Sequence, residues 1–187
     1  GGCAFCTISA HQGKFIVSRS AESILKEIEK IAEEESFKGY ISDLGGPSAN
    51  MYRLGGKDIE ICKKCKRPTC LHPKICPNLN TDHSEVLKLY SAVRKLPFIK
   101  KAFIGSGIRY DLATDAYLKE VVKNHVSGRL KVAPEHTNDV VLNLMRKPSF
   151  ALFKEFDKKF NKYNEEFNLN QQLIPYFISS HPGCKPE

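Results

Sequence analysis

Residues Lys101-Ala102-Phe103-Ile104-Gly105-Ser106-Gly107-Ile108-Arg109-Tyr110-Asp111, then residues 115–125, then Arg129-Leu130-Lys131-Val132-Ala133, decide the fold class. A short apolar run enters a Gly-rich polar loop. Leu118, Val121, Val122 and His125 follow at helical spacing, and a second apolar run stops at Pro134-Glu135-His136. A strand, a crossover helix and another strand within this length predict a parallel pair.

The alternation extends in both directions. Residues 20–35 carry Ile24, Leu25, Ile28, Ile31 and Ala32 on one helical face behind a Ser cap. Residues 38–44 predict a strand ending in Gly45-Gly46-Pro47. Asp82-His83-Ser84-Glu85 has capping-box spacing ahead of Val86, Leu87, Tyr90, Val93 and Leu96. Thr137 is the expected cap of a helix over residues 138–146, and an aromatic-faced helix is expected over 150–167. A last strand, residues 172–178, ends in Ser179-Ser180-His181-Pro182-Gly183. The pattern predicts an α/β fold, a parallel sheet covered by helices, either a barrel or a doubly wound layer. Both architectures build their sites from loops after the strands' carboxyl ends. The candidates there are Asp43 to Gly46, Ser106 to Asp111, Glu135-His136 and His181-Pro182-Gly183.

With 187 residues the chain fits one domain. No apolar run approaches a membrane span, and residues 171–180 are broken by Pro175. No signal peptide is visible. The chain begins Gly-Gly-Cys without Met and ends at Gly183-Cys184-Lys185-Pro186-Glu187, as expected of a piece of a longer protein. A net charge of +8 permits a polyanionic partner such as RNA. The basic residues are nevertheless spread along the chain, as in Lys26-Glu27 and Lys158-Lys159, which argues for solvated helix faces.

Seven cysteines are more informative. Tight clusters without an export signal favour metal ligation in a reducing, cytoplasmic compartment over disulfides. Cys3-Ala4-Phe5-Cys6 is a CxxC compatible with a redox pair, half a zinc site or half a cluster site. Cys62-x2-Cys65-x4-Cys70-x5-Cys76-Pro77 offers four thiols on short loops, enough for tetrahedral zinc or an auxiliary iron–sulfur cluster. These lie in a Cys-rich insertion, residues 55–80, too rich in Pro, Gly and Lys for a regular helix, with His72 as a spare ligand. Cys184 stands alone. His11, His83, His125, His136 and His181 have no metal-pair spacing. His125 reads as a core residue, whereas His136, His181 and Asp43 follow strands. No Ser/His/Asp order, P-loop or dinucleotide fingerprint is present.

Cys3, Phe5 and Cys6 match the last two cysteines, and the aromatic between them, of the radical SAM cluster motif C-x3-C-x2-C. Its first cysteine would fall two positions before Gly1. The strings Ile41-Ser42-Asp43-Leu44-Gly45-Gly46-Pro47-Ser48-Ala49-Asn50-Met51-Tyr52-Arg53-Leu54, Thr81-Asp82-His83, Ala133-Pro134-Glu135-His136-Thr137 and Leu173-Ile174-Pro175-Tyr176-Phe177-Ile178 resemble the YgiQ family of bacterial radical SAM proteins.

The resemblance implies a truncated, partial (β/α)6 TIM-like barrel over residues 1–187, carrying about five strands, with the Cys-rich insertion after the second. It implies an iron–sulfur oxidoreductase in which a [4Fe–4S] cluster and S-adenosylmethionine yield a 5′-deoxyadenosyl radical, fed by a one-electron reductant such as flavodoxin or ferredoxin. Gly45-Gly46 is similar to the segment that contacts the amino group of S-adenosylmethionine, with Pro47 in place of its acid. Glu135 resembles a ribose or carboxylate contact and precedes an L-x-x-M-x-R-like helix over residues 141–146. His181-Pro182-Gly183 resembles the turn near the adenine. Ser106 and Arg109 lie in the intervening polar loop, Arg109 as a partner for the carboxylate or simply a surface Arg. With two of three cluster cysteines, this piece alone is expected to lose the cluster and be inactive. The alternatives are a zinc-stabilised basic α/β module binding RNA or a protein, and a tRNA-modifying radical SAM transferase.

Overall fold

The computed structural model describes residues 1–13 and 15–184. Strand β1 (Tyr40–Ile41) pairs in parallel with β2 (Lys101–Ala102), Ile41 opposite Ala102. Strand β3 (Arg129–Glu135) pairs in parallel with β4 (Gln172–Phe177), with a register shift between Val132 and Glu135. A parallel bridge from Ile108 to Val132 links the two pairs. Among the described residues there are thus four strands in two small sheets and no closed barrel, against about five strands expected.

The helices follow from their apolar faces. Helix α2 (Ala21–Ala32) starts where Ser20 accepts from the Ser23 amide, and turns Ile28 inward against Ile41, Ala102 and Val93. Helix α4 (Ser84–Arg94) buries Val86, Leu89, Tyr90 and Val93. Helix α5 (Asp115–Asn124), capped by Thr114, buries Tyr117, Leu118, Val121 and Val122. Helix α7 (Phe150–Glu166), capped by Ser149, adds Phe156, Phe160 and Tyr163. Leu89 and Val93 join Ile28 in a second core cluster, while Val86 and Tyr90, with the α5 and α7 side chains, meet Leu130 and Val132 of β3 in the largest. At roughly 1.5–3 kcal/mol for each large side chain buried, this cluster dominates the stability. His125 is buried within it as expected, its Nδ1 donating to the Ala102 carbonyl at 2.7 Å.

Local expectations fail where neighbouring polar residues compete. Helix α6 (Asp139–Leu144) is capped by Asn138, whose Oδ1 accepts from the Val140 amide at 2.8 Å, and not by Thr137. The cap position of α4 is His83, which makes no side-chain cap bond. Asp82 instead accepts from the Ser84 amide and hydroxyl, while Glu85 reaches Lys88. Within the Cys-rich insertion a six-residue helix, α3 (Ile59–Lys64), does form, because Asp58 accepts from the amides of Glu60 and Ile61. A further short helix, α1 (Ile8–Gln12), follows the CxxC.

Candidate functional site

The loops after the strands converge. Asp43 Oδ1, beyond β1, accepts from the Gly105 amide and the Ser106 hydroxyl, each at 3.0 Å, and so joins the ends of β1 and β2. That contact fills the space beside Gly45. A Cβ there would lie 2.0 Å from Ser106 Oγ and 2.5 Å from Asp43 Oδ1. Gly46 differs: a Cβ would meet nothing within 4 Å, and its φ is not positive. Nothing in the fold demands glycine at position 46.

Arg109 is not a surface residue. It is 9% exposed, and its Nε and Nη2 donate to the two Asp111 carboxylate oxygens at 2.9 and 2.6 Å. The remaining Nη1 faces Cys3 Sγ at 3.9 Å. Burial opposes the guanidinium charge, but Asp111 and Cys3 outweigh it and raise its pKa. Its backbone is clamped by Asn50, a fully buried side chain that accepts from the Arg109 amide at 2.7 Å and donates to its carbonyl at 2.8 Å. Buried His83 stands 3.4 Å from Asn50 Nδ2 and against the Tyr117 ring. Neither Asn50 nor Asp111 is chemically distinctive in one sequence, because their value lies in contacts across long loops.

At the end of β3, Glu135 adopts φ 72°, left-handed backbone that a non-glycine residue rarely occupies, at a register shift. Lys147, buried, donates to the Ala133 carbonyl at 2.6 Å and lies 3.6 Å from Glu135. Burial raises the Glu135 pKa despite the nearby cations, and lowers that of Lys147, which also feels Arg109. Cys3, Arg109, Asp111, Glu135 and Lys147 therefore form one electrostatically coupled group. Sequence reasoning missed Lys147, since a lysine between two helices reads as solvated.

Beyond β4, His181 Nδ1 is buried without a hydrogen-bond partner among the described residues. Pro182 is exposed, and Gly183 packs so tightly that a Cβ would lie 2.5 Å from Leu144. His136 is turned away, its Nε2 3.5 Å from Cys184 Sγ and its Nδ1 accepting from Asn138.

Cys3 and Cys6 are partly buried at a turn, the Cys6 amide donating to the Cys3 carbonyl. Phe5 is 39% exposed. The second group is drawn together by a bridge pairing Gly56 with Leu79. Asn78 donates to Cys62 Sγ at 3.2 Å, and the Cys76 amide to the Cys70 carbonyl at 2.7 Å. Burial, then the neighbouring Cys76, Cys62 and Cys65, push up the Cys70 thiol. Cys70 thus feels each of the other three thiols, and four thiols on short loops suit zinc or an iron–sulfur cluster in donor chemistry. Among the described residues, however, no three His, Cys, Asp or Glu side chains are grouped so as to hold a metal ion. His72 is held by Asn143 at 2.9 Å and not simply solvated.

Over its whole length the chain is similar to proteins named UPF0313 protein. It is 64% identical over 199 residues to that of Bacteroides thetaiotaomicron, covering 100% of this chain and 32% of the relative. The UPF0313 protein of Porphyromonas gingivalis is 60% identical over 199 residues, again over 100% of this chain and 31% of the relative. That of Pseudomonas syringae pv. tomato is 52% identical over 190 residues, with 100% of this chain and 25% of the relative covered. The chain thus spans about a quarter to a third of the length of these curated relatives. No family model matches it. No helix among the described residues is long and apolar enough to cross a membrane.

Proposed function

We propose that this chain, similar along its length to UPF0313 proteins, is part of the core of a radical SAM iron–sulfur enzyme built on a partial (β/α) barrel. The observation that carries the reading is the meeting of Cys3 with Arg109–Asp111 and Glu135–Lys147 at the carboxyl ends of parallel strands. A thiolate of the CxxC beside a buried, always-charged guanidinium suits a cluster that carries net negative charge.

Cys3 and Cys6 would hold the cluster, which with S-adenosylmethionine bound would supply the electron for cleavage of the sulfur–carbon bond. Arg109 offsets thiolate charge through Nη1, and Asp111 fixes the plane of the guanidinium by its bidentate grip. That grip occupies two of its donor nitrogens, so Arg109 serves the cysteine side of the site more than a substrate carboxylate. Gly46 leaves an open backbone against which a ligand can lie, whereas Gly45 is already closed by Ser106. At the end of β3 Glu135 forms an ion pair with Lys147, which donates to the Ala133 carbonyl, and His181 Nδ1, without a partner among the described residues, lies beyond β4. The four cysteines of the insertion would take zinc or a second iron–sulfur cluster.

The test uses the full-length protein, reconstituted anaerobically with iron and sulfide, reduced and given S-adenosylmethionine. Release of 5′-deoxyadenosine, lost in Cys3→Ala and Cys6→Ala, is expected. No release from a protein that has taken up iron and sulfide would sink the reading. Salt-sensitive RNA binding in its place would favour a basic binding module.

A further inference from the structure

The two cysteine groups, distant in sequence, touch through one side chain. Thr69, 4% exposed and next to Cys70, donates from Oγ1 to the Gly1 carbonyl at 2.7 Å and accepts from the Leu71 amide at 3.1 Å. The backbone of Gly2 lies flat on this loop. It has φ 94°, and a Cβ would fall 2.6 Å from the Pro68 carbonyl oxygen and 2.7 Å from Thr69 Cβ. On its other side the CxxC is held by the Ala4 amide, which donates to the Met145 carbonyl at 3.0 Å. The insertion reaches the same helix end through His72 and Asn143.

The insertion has little else to hold Thr69 still. Its large apolar residues Ile59, Ile61 and Ile75 are 46%, 57% and 47% exposed, so no core forms within it. Its order rests on the Gly56–Leu79 bridge and on a few loop hydrogen bonds, and its four thiols are free. A metal ion bound by thiolates closes such short loops and contributes folding free energy directly.

We propose that metal binding at Cys62, Cys65, Cys70 and Cys76 fixes the Cys3–Cys6 segment in place, with Thr69 as the positioning residue between the two groups. The inference rests on those four cysteines forming one metal site. Filling that site orders residues 68–70, Thr69 then grips the Gly1 carbonyl, and Cys3 is held beneath Arg109. By linkage the effect is reciprocal, so an ordered Cys3 segment also tightens the insertion's metal.

Zinc(II) alone serves as probe, in the full-length, iron-free protein carrying Cys3→Ser and Cys6→Ser, so that the CxxC does not compete for it. Hydrogen exchange at the backbone amides of positions 4 and 6 is read with and without one equivalent of zinc. Exchange about fivefold slower with zinc is expected, the worth of one net hydrogen bond. Thr69→Val should abolish that slowing while zinc still binds, and Thr69→Ser should keep it, which separates a lost hydroxyl from a misfolded loop. Equal exchange with and without zinc overturns the proposal, as does full protection in Thr69→Val or failure to bind one equivalent. Release of 5′-deoxyadenosine by the unmodified protein is a separate measurement, so the catalytic reading stands or falls independently.

Discussion

Replacing Asn50 by Ala should cost more than any other single polar truncation near the site. The side chain is fully buried and makes two hydrogen bonds with one residue, 2.7 Å from the Arg109 amide and 2.8 Å to its carbonyl. Each such bond is worth about 1 kcal/mol net, but truncation leaves a buried amide and a buried carbonyl unpaired, each costing roughly 1–3 kcal/mol. Water entering the vacated space would recover part of this, so the expected loss is about 2–4 kcal/mol. The same change frees the loop that carries Arg109, and with it the Nη1 contact to Cys3. Urea denaturation of the wild-type and Asn50→Ala proteins gives the stability difference. Asn80→Ala, whose side chain accepts from the Asp82 amide, is the control. A loss below about 1 kcal/mol, or one equal to the control, would refute the claim that Asn50 holds the Arg109 loop.

Gly45 and Gly46 should respond in opposite ways. Gly45→Ala drives a methyl group into Ser106 Oγ and destabilises by about 1–3 kcal/mol, as overpacking does, with partial rescue by Ser106→Ala. Gly46→Ala should leave stability within about 0.5 kcal/mol, as open surface positions do, yet weaken S-adenosylmethionine binding measured by equilibrium dialysis. Unchanged binding would remove Gly46 from the site. His83 provides a pH signature. Burial lowers its pKa below the ordinary 6.5, so the unfolded chain takes up the proton first. Stability should therefore be flat above pH 6.5 and fall as pH drops from there toward the lowered folded value. Denaturation curves at several pH values, compared between wild type and His83→Gln, test this, and an identical acid limb in both would exclude His83 as its source.

Much of the framework was legible because periodicity is a local property. Ile24, Leu25 and Ile28 announced α2, and Leu118, Val121 and Val122 announced α5, since a 3.6-residue repeat needs no knowledge of partners. Caps were read less well. Asn138 and Thr137 are both competent, and only backbone geometry decides which one reaches an amide. Two strand extents, residues 38–44 and 101–104, were overread for a related reason: an apolar run marks a buried segment, whereas a ladder requires a neighbour in register.

The sequence by itself determined the alternation of strand and helix, the two cysteine groups and the polar strand ends, because each is written in residue type and spacing. The tertiary structure decided what those groups touch. It placed Arg109 inside the protein against Asp111 and Cys3, clamped it with Asn50, and brought Lys147 beside Glu135. It also laid Thr69 against the start of the chain, joining two cysteine groups that the sequence keeps far apart. Contacts of this kind depend on how loops close over a shared core, and no local pattern of residues encodes that closure.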